Sequence, residues 1–349
     1  MTTKATTSTP SCNQVTQYLS SSQTAPLALC GDASEVLSKF PDECLDFCMT
    51  SPPYWGHREY AGGGIGQEAT YLEYIDNLLI VFGQVKRVLK PTGSFWLNIG
   101  DSYDAKRLIG IPWRICIALT DQHGWVLRNS VIWNKVKGGP DNSKDKLRCV
   151  HENIFHLVKQ AKGYFYDADA IRTSPGKSRI VNGKIISATG VSGVKYRSQI
   201  ELSAVLTQEE KITAHNALDE ILANVANGKL SDFRMIIRGQ QRATHSDSAN
   251  VSGRAKELNA KGFYFLKYHP NGPKPSDVWD IMPEDTQNRG TGHFASYPED
   301  LCRIPILATC PVGGIALDPF SGTGTTLKLA HRLGRKSIGI DICESYVSG

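Results

Sequence analysis

Two short stretches of this chain carry residue types that could do chemistry together. The first is Thr50-Ser51-Pro52-Pro53-Tyr54-Trp55, directly after the apolar run Leu45–Met49. That run reads as a buried strand, which puts Ser51 at a strand's carboxyl end, where ligands bind in α/β sheets. Consecutive prolines fix φ and remove two N–H donors, so the segment presents rigid carbonyls. It offers two acceptors, Ser51 Oγ and the Pro52 carbonyl, beside one flat aromatic, Tyr54. Taken by itself, a Pro-Pro-Tyr also reads as a plain loop.

The second stretch runs from Gly314 to Asp341. It reads as a strand Gly314–Leu317, the turn Asp318-Pro319-Phe320-Ser321-Gly322-Thr323-Gly324-Thr325-Thr326, a helix Leu327–Leu333, and a strand Ser337–Ile340 ending in Asp341. Glycines let backbone approach a ligand closely, and a strand-terminal acid can accept from ribose hydroxyls. Asp341 follows Asp318 by 23 positions, the spacing of a nucleotide-binding βαβ unit. The third glycine of a dinucleotide fingerprint is missing, which discourages a nicotinamide dehydrogenase, and no Lys-Ser/Thr follows the turn as in a triphosphate loop. The turn should hold a nucleoside without demanding a pyrophosphate. S-adenosylmethionine, an adenosyl sulfonium, meets that description.

The elements that must position these stretches read as an α/β pattern. Leu27–Cys30 is a short strand ending in Gly31-Asp32, Ala33–Phe40 is helical, and Leu45–Met49 is the strand before Ser51. Tyr71–Leu89 carries a helical stripe (Leu72, Ile75, Leu78, Leu79, Phe82, Val85, Val88) that ends at Lys90-Pro91. Ser94–Ile99 reads as a strand, Ile111–His123 as a helix opened by Pro112, and Val126–Val136 and Asn153–Lys159 as strands. Such alternation predicts a mostly parallel sheet with helices on both faces. After Arg172 the pattern breaks into Gly/Ser/Lys-rich sequence without a clear period. The capping box Thr207-Gln208-Glu209-Glu210 then opens a helix closed by Gly228. The expected organisation is a flexible tail over 1–24, two halves of one α/β domain over 25–172 and 276–349, and an insert over 173–275.

Composition narrows the partners. The insert Thr173–Pro275 holds fifteen Lys/Arg against eight Asp/Glu, while the chain as a whole is at +5, so the surplus sits in the insert. A basic insert on a near-neutral body is the footprint of a polyanion reader, with Arg234, Arg238, Arg242 and Arg254 as candidate contacts. No apolar run approaches the roughly 20 residues of a membrane helix. The Thr/Ser-rich start lacks the core of a secretory signal. Nine cysteines, odd in number and without a Cys-x-x-Cys pair, argue against a disulfide framework and for a reduced, cytoplasmic setting. Cys44 and Cys48 read as small buried hydrophobes, and no metal is expected.

With these residues in view, the chain resembles the amino-methylating DNA methyltransferases. Asp318 to Thr326, Gly334-Arg335 and Ile338-Gly339-Ile340-Asp341 are similar to their methyl-donor motif, and Thr50 to Tyr54 to their catalytic motif. The catalytic motif comes first, with a basic insert between, which is the order of the permuted β group. Arg87 to Gly93, Val131 to Lys135, His151 to Phe155 and Tyr164 to Asp167 agree with that group. The resemblance implies a Rossmann-like S-adenosylmethionine-dependent sheet, circularly permuted in motif order, with a target-recognition insert. It further implies duplex DNA as substrate and a cognate restriction endonuclease in the same system.

The resemblance also distributes roles. An exocyclic amine conjugated to a ring is a poor nucleophile whose nitrogen must become more tetrahedral to attack a sulfonium methyl. Ser51 Oγ and the Pro52 carbonyl, held by Pro53, would accept its two N–H bonds and favour the developing positive charge. Tyr54 would stack on a base flipped out of the duplex. Asp341 would hold the ribose hydroxyls, Asp32 would lie near the adenine, and Phe294 and Pro298 would border the pocket. Asp318, Phe320, Ser321, Gly322, Gly324, Thr325 and Thr326 complete the candidate cofactor set. Asp32 also reads as a plain helix N-cap.

Ring-carbon methylation would need a cysteine in the Ser51 loop, and a zinc deaminase a Pro-Cys-x-x-Cys; neither is present. His57, Arg58 and Glu59 read as loop residues. Members with serine at the first motif position usually modify cytosine N4, and those with aspartate adenine N6. The expectation is therefore cytosine N4, with adenine N6 and a non-catalytic DNA-binding protein on the same fold as alternatives. Eight residues follow Asp341, fewer than the family's usual helix needs. A single turn over Cys343–Val347, completion from near Asn13–Leu19, or truncation would each account for this.

Overall fold

The computed structural model describes residues 12–57, 64–138, 141–174, 176–188, 190–239, 253–283 and 297–347. The chain opens with α1 (Cys12–Ser20), β1 (Leu27–Cys30), α2 (Ala33–Leu37), β2 (Leu45–Thr50), α3 (Tyr71–Val88) and β3 (Leu89–Ile99). A hairpin of β4 (Tyr103–Asp104) and β5 (Arg107–Leu108) leads into α4 (Ile111–Asp121), β6 (Val126–Asn134) and β7 (His151–Val158). A separate compact unit, Arg172–Pro275, holds β8 (Arg179–Val181), β9 (Lys184–Ile186), α5 (Gly193–Glu201), α6 (Gln208–Ala226), β10 (Asp232–Ile237), α7 (Gly253–Lys261) and β11 (Phe263–Tyr268). The first unit resumes with β12 (Val278–Asp280), α8 (Glu299–Thr309), β13 (Ile315–Asp318), α9 (Thr325–Arg332), β14 (Lys336–Asp341) and α10 (Glu344–Val347).

The first unit is built on one eight-stranded sheet in the order β1-β14-β13-β2-β3-β7-β6-β12. β7 runs antiparallel to both its neighbours; every other pairing is parallel. All six residues of β2 are buried, as a central strand covered on both faces requires. Period-two alternation sorts its side chains: Cys48 joins the core under α2, α3 and α4, while Phe47 and Met49 join the core under α8 and α9. α3 starts at a complete capping box, Thr70 with Glu73, and buries Tyr74, Ile75, Leu78, Phe82 and Val85. Its end differs from expectation. The helix stops at Val88 and Leu89 pairs at once with Leu45, so the strand begins five residues before Ser94. Pro91, which cannot continue a helix or donate to a ladder, lies in the register shift between those pairs.

Residues 1–24 are not a flexible tail throughout. α1 buries Val15 and Tyr18 in the main core, and Tyr18 Oη donates to the Ser337 carbonyl at 3.0 Å. Lys336 Nζ donates to the Tyr18 and Ser21 carbonyls, gripping the carboxyl end of α1 where its partial negative charge lies. The helix lacks charged residues, which hid it in a polar, Ser-rich stretch. After β14, Glu344–Val347 form a single turn, α10.

The unit Arg172–Pro275 packs α5 and α6 on the antiparallel pair β10–β11, with Tyr196, Ile200, Leu218, Ile221, Phe233 and Phe263 in its core. The stretch that showed no period contains the hairpin β8–β9 and the helix α5. Strands of three residues are too short to reveal alternation, although Asn182-Gly183, both at positive φ (48° and 72°), is a hairpin-turn signal in the sequence.

Candidate active site

Chain direction around the sheet decides where a ligand can bind. From β13 the chain crosses through α9 to β14 on one side; from adjacent β2 it crosses through α3 to β3 on the other. The carboxyl ends of β13 and β2 therefore flank the switch point, the crevice that open α/β sheets use for ligands. Asp318 ends β13 and Thr50 ends β2, and Thr50 Oγ1 donates to Asp318 Oδ1 at 2.6 Å across it. The two stretches that could do chemistry thus meet.

Beyond Thr50 the loop is held from several sides. Tyr74 of α3 donates its hydroxyl to the Pro53 carbonyl at 2.8 Å, and Trp55 Nε1 donates to the Glu68 carbonyl at 3.0 Å. Gly66 takes φ 107°, which favours glycine, and a Cβ there would crowd Pro53 Cβ at 3.2 Å. The Pro52 carbonyl has no hydrogen-bond donor among the described residues. Tyr54 is fixed at both ends of its ring. Gly100 lies so close that a Cβ there would be 2.7 Å from Cε2, and the hydroxyl donates to Glu152 Oε2 at 2.6 Å.

Glu152 and Asn98 are buried polar residues near the open ends of β7 and β3, and neither was singled out by role in the sequence. Asn98 Nδ2 donates to Glu152 Oε2 at 2.8 Å and reaches Ser51 Oγ and Tyr54 Oη at 3.1 Å each. Three oxygens on one side dictate which end of the amide faces them. Asn98 Oδ1 is left buried without a partner among the described residues. Lys135 forms an ion pair with Glu152 Oε1, compensating the buried charge. Burial first, and then the Glu152 charge, push the Tyr54 phenol well above its usual range, so it stays protonated and donating. Ser51 Oγ lies 3.3 Å from Tyr54 Oη. Because the one phenolic proton is committed to Glu152, Ser51 is the donor in that contact, and its remaining lone pair is open to a ligand. The signal in sequence was an asparagine inside the apolar stretch Phe95–Ile99; Glu152, between His151 and Asn153, carried no such mark.

On the other side of the crevice, Asp318 is buried and accepts from Thr50 Oγ1, Tyr297 Oη, Thr326 Oγ1 and the Phe320 amide. A carboxylate has about four acceptor positions, and all are filled from within the protein. Burial raises its pKa while these bonds oppose the rise. Asp318 and the equally buried Thr326, which lies against Tyr297, are therefore keystones of the crevice. Asp341 differs. It is half-buried and accepts from the Gly322 and Cys343 amides at 2.8 Å each, leaving acceptor capacity for hydroxyls.

The turn leans over β14 because Gly339 has no side chain: a Cβ would meet Ser321 Cβ at 2.8 Å. Gly322 and Gly324 take positive φ (50° and 79°), and Gly324 starts α9 with no side-chain cap. Phe320, Ser321 and Thr325 are half-buried around it. These groups fit an adenosyl sulfonium: an acid with spare acceptors for ribose, a glycine turn for close approach, and an uncapped helix start for a carboxylate.

Asp32 Oδ1 accepts the Ser34 and Glu35 amides and so N-caps α2 from the end of β1, beside the β14 end that carries Asp341. Pro298 is the N-cap of α8. Phe294 lies outside the described residues. In the second unit, Arg238 is spent internally: it bonds both carboxylate oxygens of Glu210 (2.9 and 2.8 Å) and the Val205 carbonyl. Arg234 and Arg254 are exposed, and Arg242 lies outside the described residues. Among the described residues, no group of three His, Cys, Asp or Glu is arranged to hold a metal, and no helix is long and apolar enough to cross a membrane.

A sequence family described as DNA methylase matches residues 45–349, spanning both the Ser51 loop and Asp341. The chain belongs to the amino-methylating DNA methyltransferases. The methyltransferase is 30% identical over 380 residues to the type II methyltransferase M.SfiI of Streptomyces fimbriatus, covering 91% of this chain and 88% of that one. With the type II methyltransferase M.SmaI of Serratia marcescens it shares 27% over 366 residues, 96% and 93% of the two chains. Among solved structures, the PvuII cytosine-N4-specific DNA methyltransferase aligns with a TM-score of 0.55 at 17% identity, over 93% of this chain and 85% of that one, a likeness of fold. The protein is thus a type II DNA methyltransferase of the N4/N6 kind, with S-adenosylmethionine as methyl donor and DNA as substrate.

Proposed function

We propose that the methyltransferase modifies the exocyclic N4 of cytosine within a short sequence in duplex DNA. The observation that carries this reading is the acceptor pair at the switch point. Ser51 Oγ turns its own proton toward Tyr54, and the Pro52 carbonyl lacks a donor among the described residues. Each can take one N–H of an amine, drawing its nitrogen toward the geometry that attacks a methyl group, and both stabilise the positive charge that develops there. Asp341 would hold the donor's ribose, the Phe320–Thr325 turn and the start of α9 the remainder, and Asp32 would border the adenine. The bound donor supplies an electrophilic methyl on a sulfonium. Tyr54, immobilised by Gly100 and Glu152, would stack on the flipped base.

Serine rather than aspartate at position 51 has a local reason. Ser51 Oγ and Glu152 Oε2 share the Asn98 amide, so a carboxylate at 51 would face the anionic Glu152 within one side chain. The neutral hydroxyl avoids that repulsion. The cytosine reading rests on this serine, the usual first letter of cytosine-N4 members, and accords with the specificity named for the PvuII enzyme. The basic unit Arg172–Pro275, with Arg234 and Arg254 exposed, would read the target sequence, and the halves on either side would form the catalytic domain. A cognate endonuclease in a cytoplasmic restriction–modification system completes the proposal. Hydrolysing DNA methylated by the protein and identifying the modified nucleoside by mass spectrometry tests it. N4-methylcytosine is expected, and N6-methyladenine would overturn the assignment.

A further inference from the structure

A base inside a duplex cannot reach Ser51, so the stack must be opened and the vacated space filled. β7 runs antiparallel to both neighbours, so the connection from Asn134 to His151 emerges at the carboxyl end of β3, the edge of the sheet that carries Ser51. Leu147, in this connection, is 91% exposed, the most exposed large hydrophobic among the described residues. Leaving a leucine in water forgoes about 1.5–3 kcal/mol of burial.

Its surroundings are cationic. Lys144 and Arg148 are exposed and have no ion-pair partner among the described residues, and Lys137 likewise. Residues just before Leu147 contact a neighbouring hairpin. Lys146 pairs with Asp141 and lies 5.0 Å over the Tyr103 ring, and Lys106 pairs with Asp145 at 3.1 Å. Tyr103 and Lys106 belong to the β4–β5 hairpin, and the preceding Ser102 donates its hydroxyl to the Trp55 carbonyl at 2.9 Å. A short run of contacts therefore leads from the residues beside Leu147 to the Ser51–Trp55 loop.

We propose that Leu147 is the apolar wedge that enters the base stack when the target base is extruded, with Lys144 and Arg148 on the flanking phosphates. An apolar tip between phosphate-binding cations is the combination found where side chains unstack DNA. A docking site for another protein would not need cations on both sides of a single leucine. The inference rests on the methylation chemistry of the site and is indifferent to which base is modified.

The test compares Leu147→Ala and Leu147→Met with the unaltered protein in single-turnover methyl transfer. The substrates are a duplex carrying the mapped methylation site and the same duplex with the target base mispaired. Because Leu147 is solvent-exposed, neither change should disturb folding, and thermal melting confirms this. On the paired duplex, Leu147→Ala should be slowed roughly tenfold or more, which is about 1.4 kcal/mol or more of the unstacking cost. Leu147→Met should stay near the unaltered rate, and on the mispaired duplex the alanine variant should recover most of its deficit. An unchanged rate for Leu147→Ala on the paired duplex, or an equal deficit on both duplexes, would overturn the wedge. No methyl transfer by the unaltered protein would instead count against the functional reading itself.

Discussion

Thr50 Oγ1 donates to Asp318 Oδ1 at 2.6 Å, although 268 positions of sequence separate them. This bond ties the strand that ends at the amine-acceptor loop to the strand that opens the cofactor turn. It also fills one of four acceptor positions on a buried carboxylate whose others go to Tyr297, Thr326 and Phe320. Thr50→Val keeps the shape and leaves one acceptor position of the buried Asp318 Oδ1 unmet, which costs about 1–3 kcal/mol. Urea unfolding should show that loss, and Thr50→Ser should recover most of it. Equal midpoints for the valine variant and the unaltered protein would refute the keystone role.

Glu152 is a positioning residue. It orders Tyr54 and Asn98, and through them Ser51, without itself facing the amine. Glu152→Gln preserves size but removes a charge-assisted acceptor worth about 1.5–3 kcal/mol. Felt at the transition state, that is roughly a ten- to hundredfold loss of kcat. KM for DNA and affinity for S-adenosylmethionine should change little. A variant that kept kcat and lost only affinity would assign Glu152 to binding instead.

Acid sensitivity should trace to His156. Its ring is stacked on Trp96 at 4.3 Å and its Nε2 bonds Ser94 Oγ at 3.0 Å, while burial, helped by the Arg128 charge, pushes its pKa down to about 3. The folded protein thus keeps His156 neutral where the unfolded chain, with a value near 6.5, would protonate it. The resulting stability is complete above about pH 6.5 and is lost progressively as pH falls toward 3. At pH 5 the loss is about 2 kcal/mol. His156→Gln should flatten the change in unfolding free energy between pH 7 and pH 5, and an unchanged slope would locate the effect elsewhere.

Much of this architecture was legible because burial on both faces leaves a strong mark: Leu45–Met49 is apolar but for Asp46, Ser94–Ile99 but for Ser94 and Asn98, and α3 carries a stripe with a capping box. The paired motifs located the crevice for the same reason, since strand ends are where glycine, proline and acid residues accumulate. What stayed hidden depends on contacts between distant segments. Nothing local in Asp318 says that four donors converge on it, nor in Arg238 that Glu210 lies opposite. The α1 helix was obscured because its apolar positions Val15, Tyr18 and Leu19 are few and lie in a polar, uncharged stretch, with the anchor supplied by distant Ser337. Antiparallel β7 was missed because an apolar run does not state its direction. That direction brings Glu152 to the site.

The central claim is that Ser51 Oγ accepts an N–H of the amine being methylated. Single-turnover methyl transfer by Ser51→Ala, with S-adenosylmethionine and DNA affinities measured alongside, tests it most directly. Loss of one preorganised group of this kind lowers rate on the order of 10²–10³-fold. The variant should fall by about that much while binding both ligands nearly as before. Transfer at the full rate, with both ligands bound, would contradict the account.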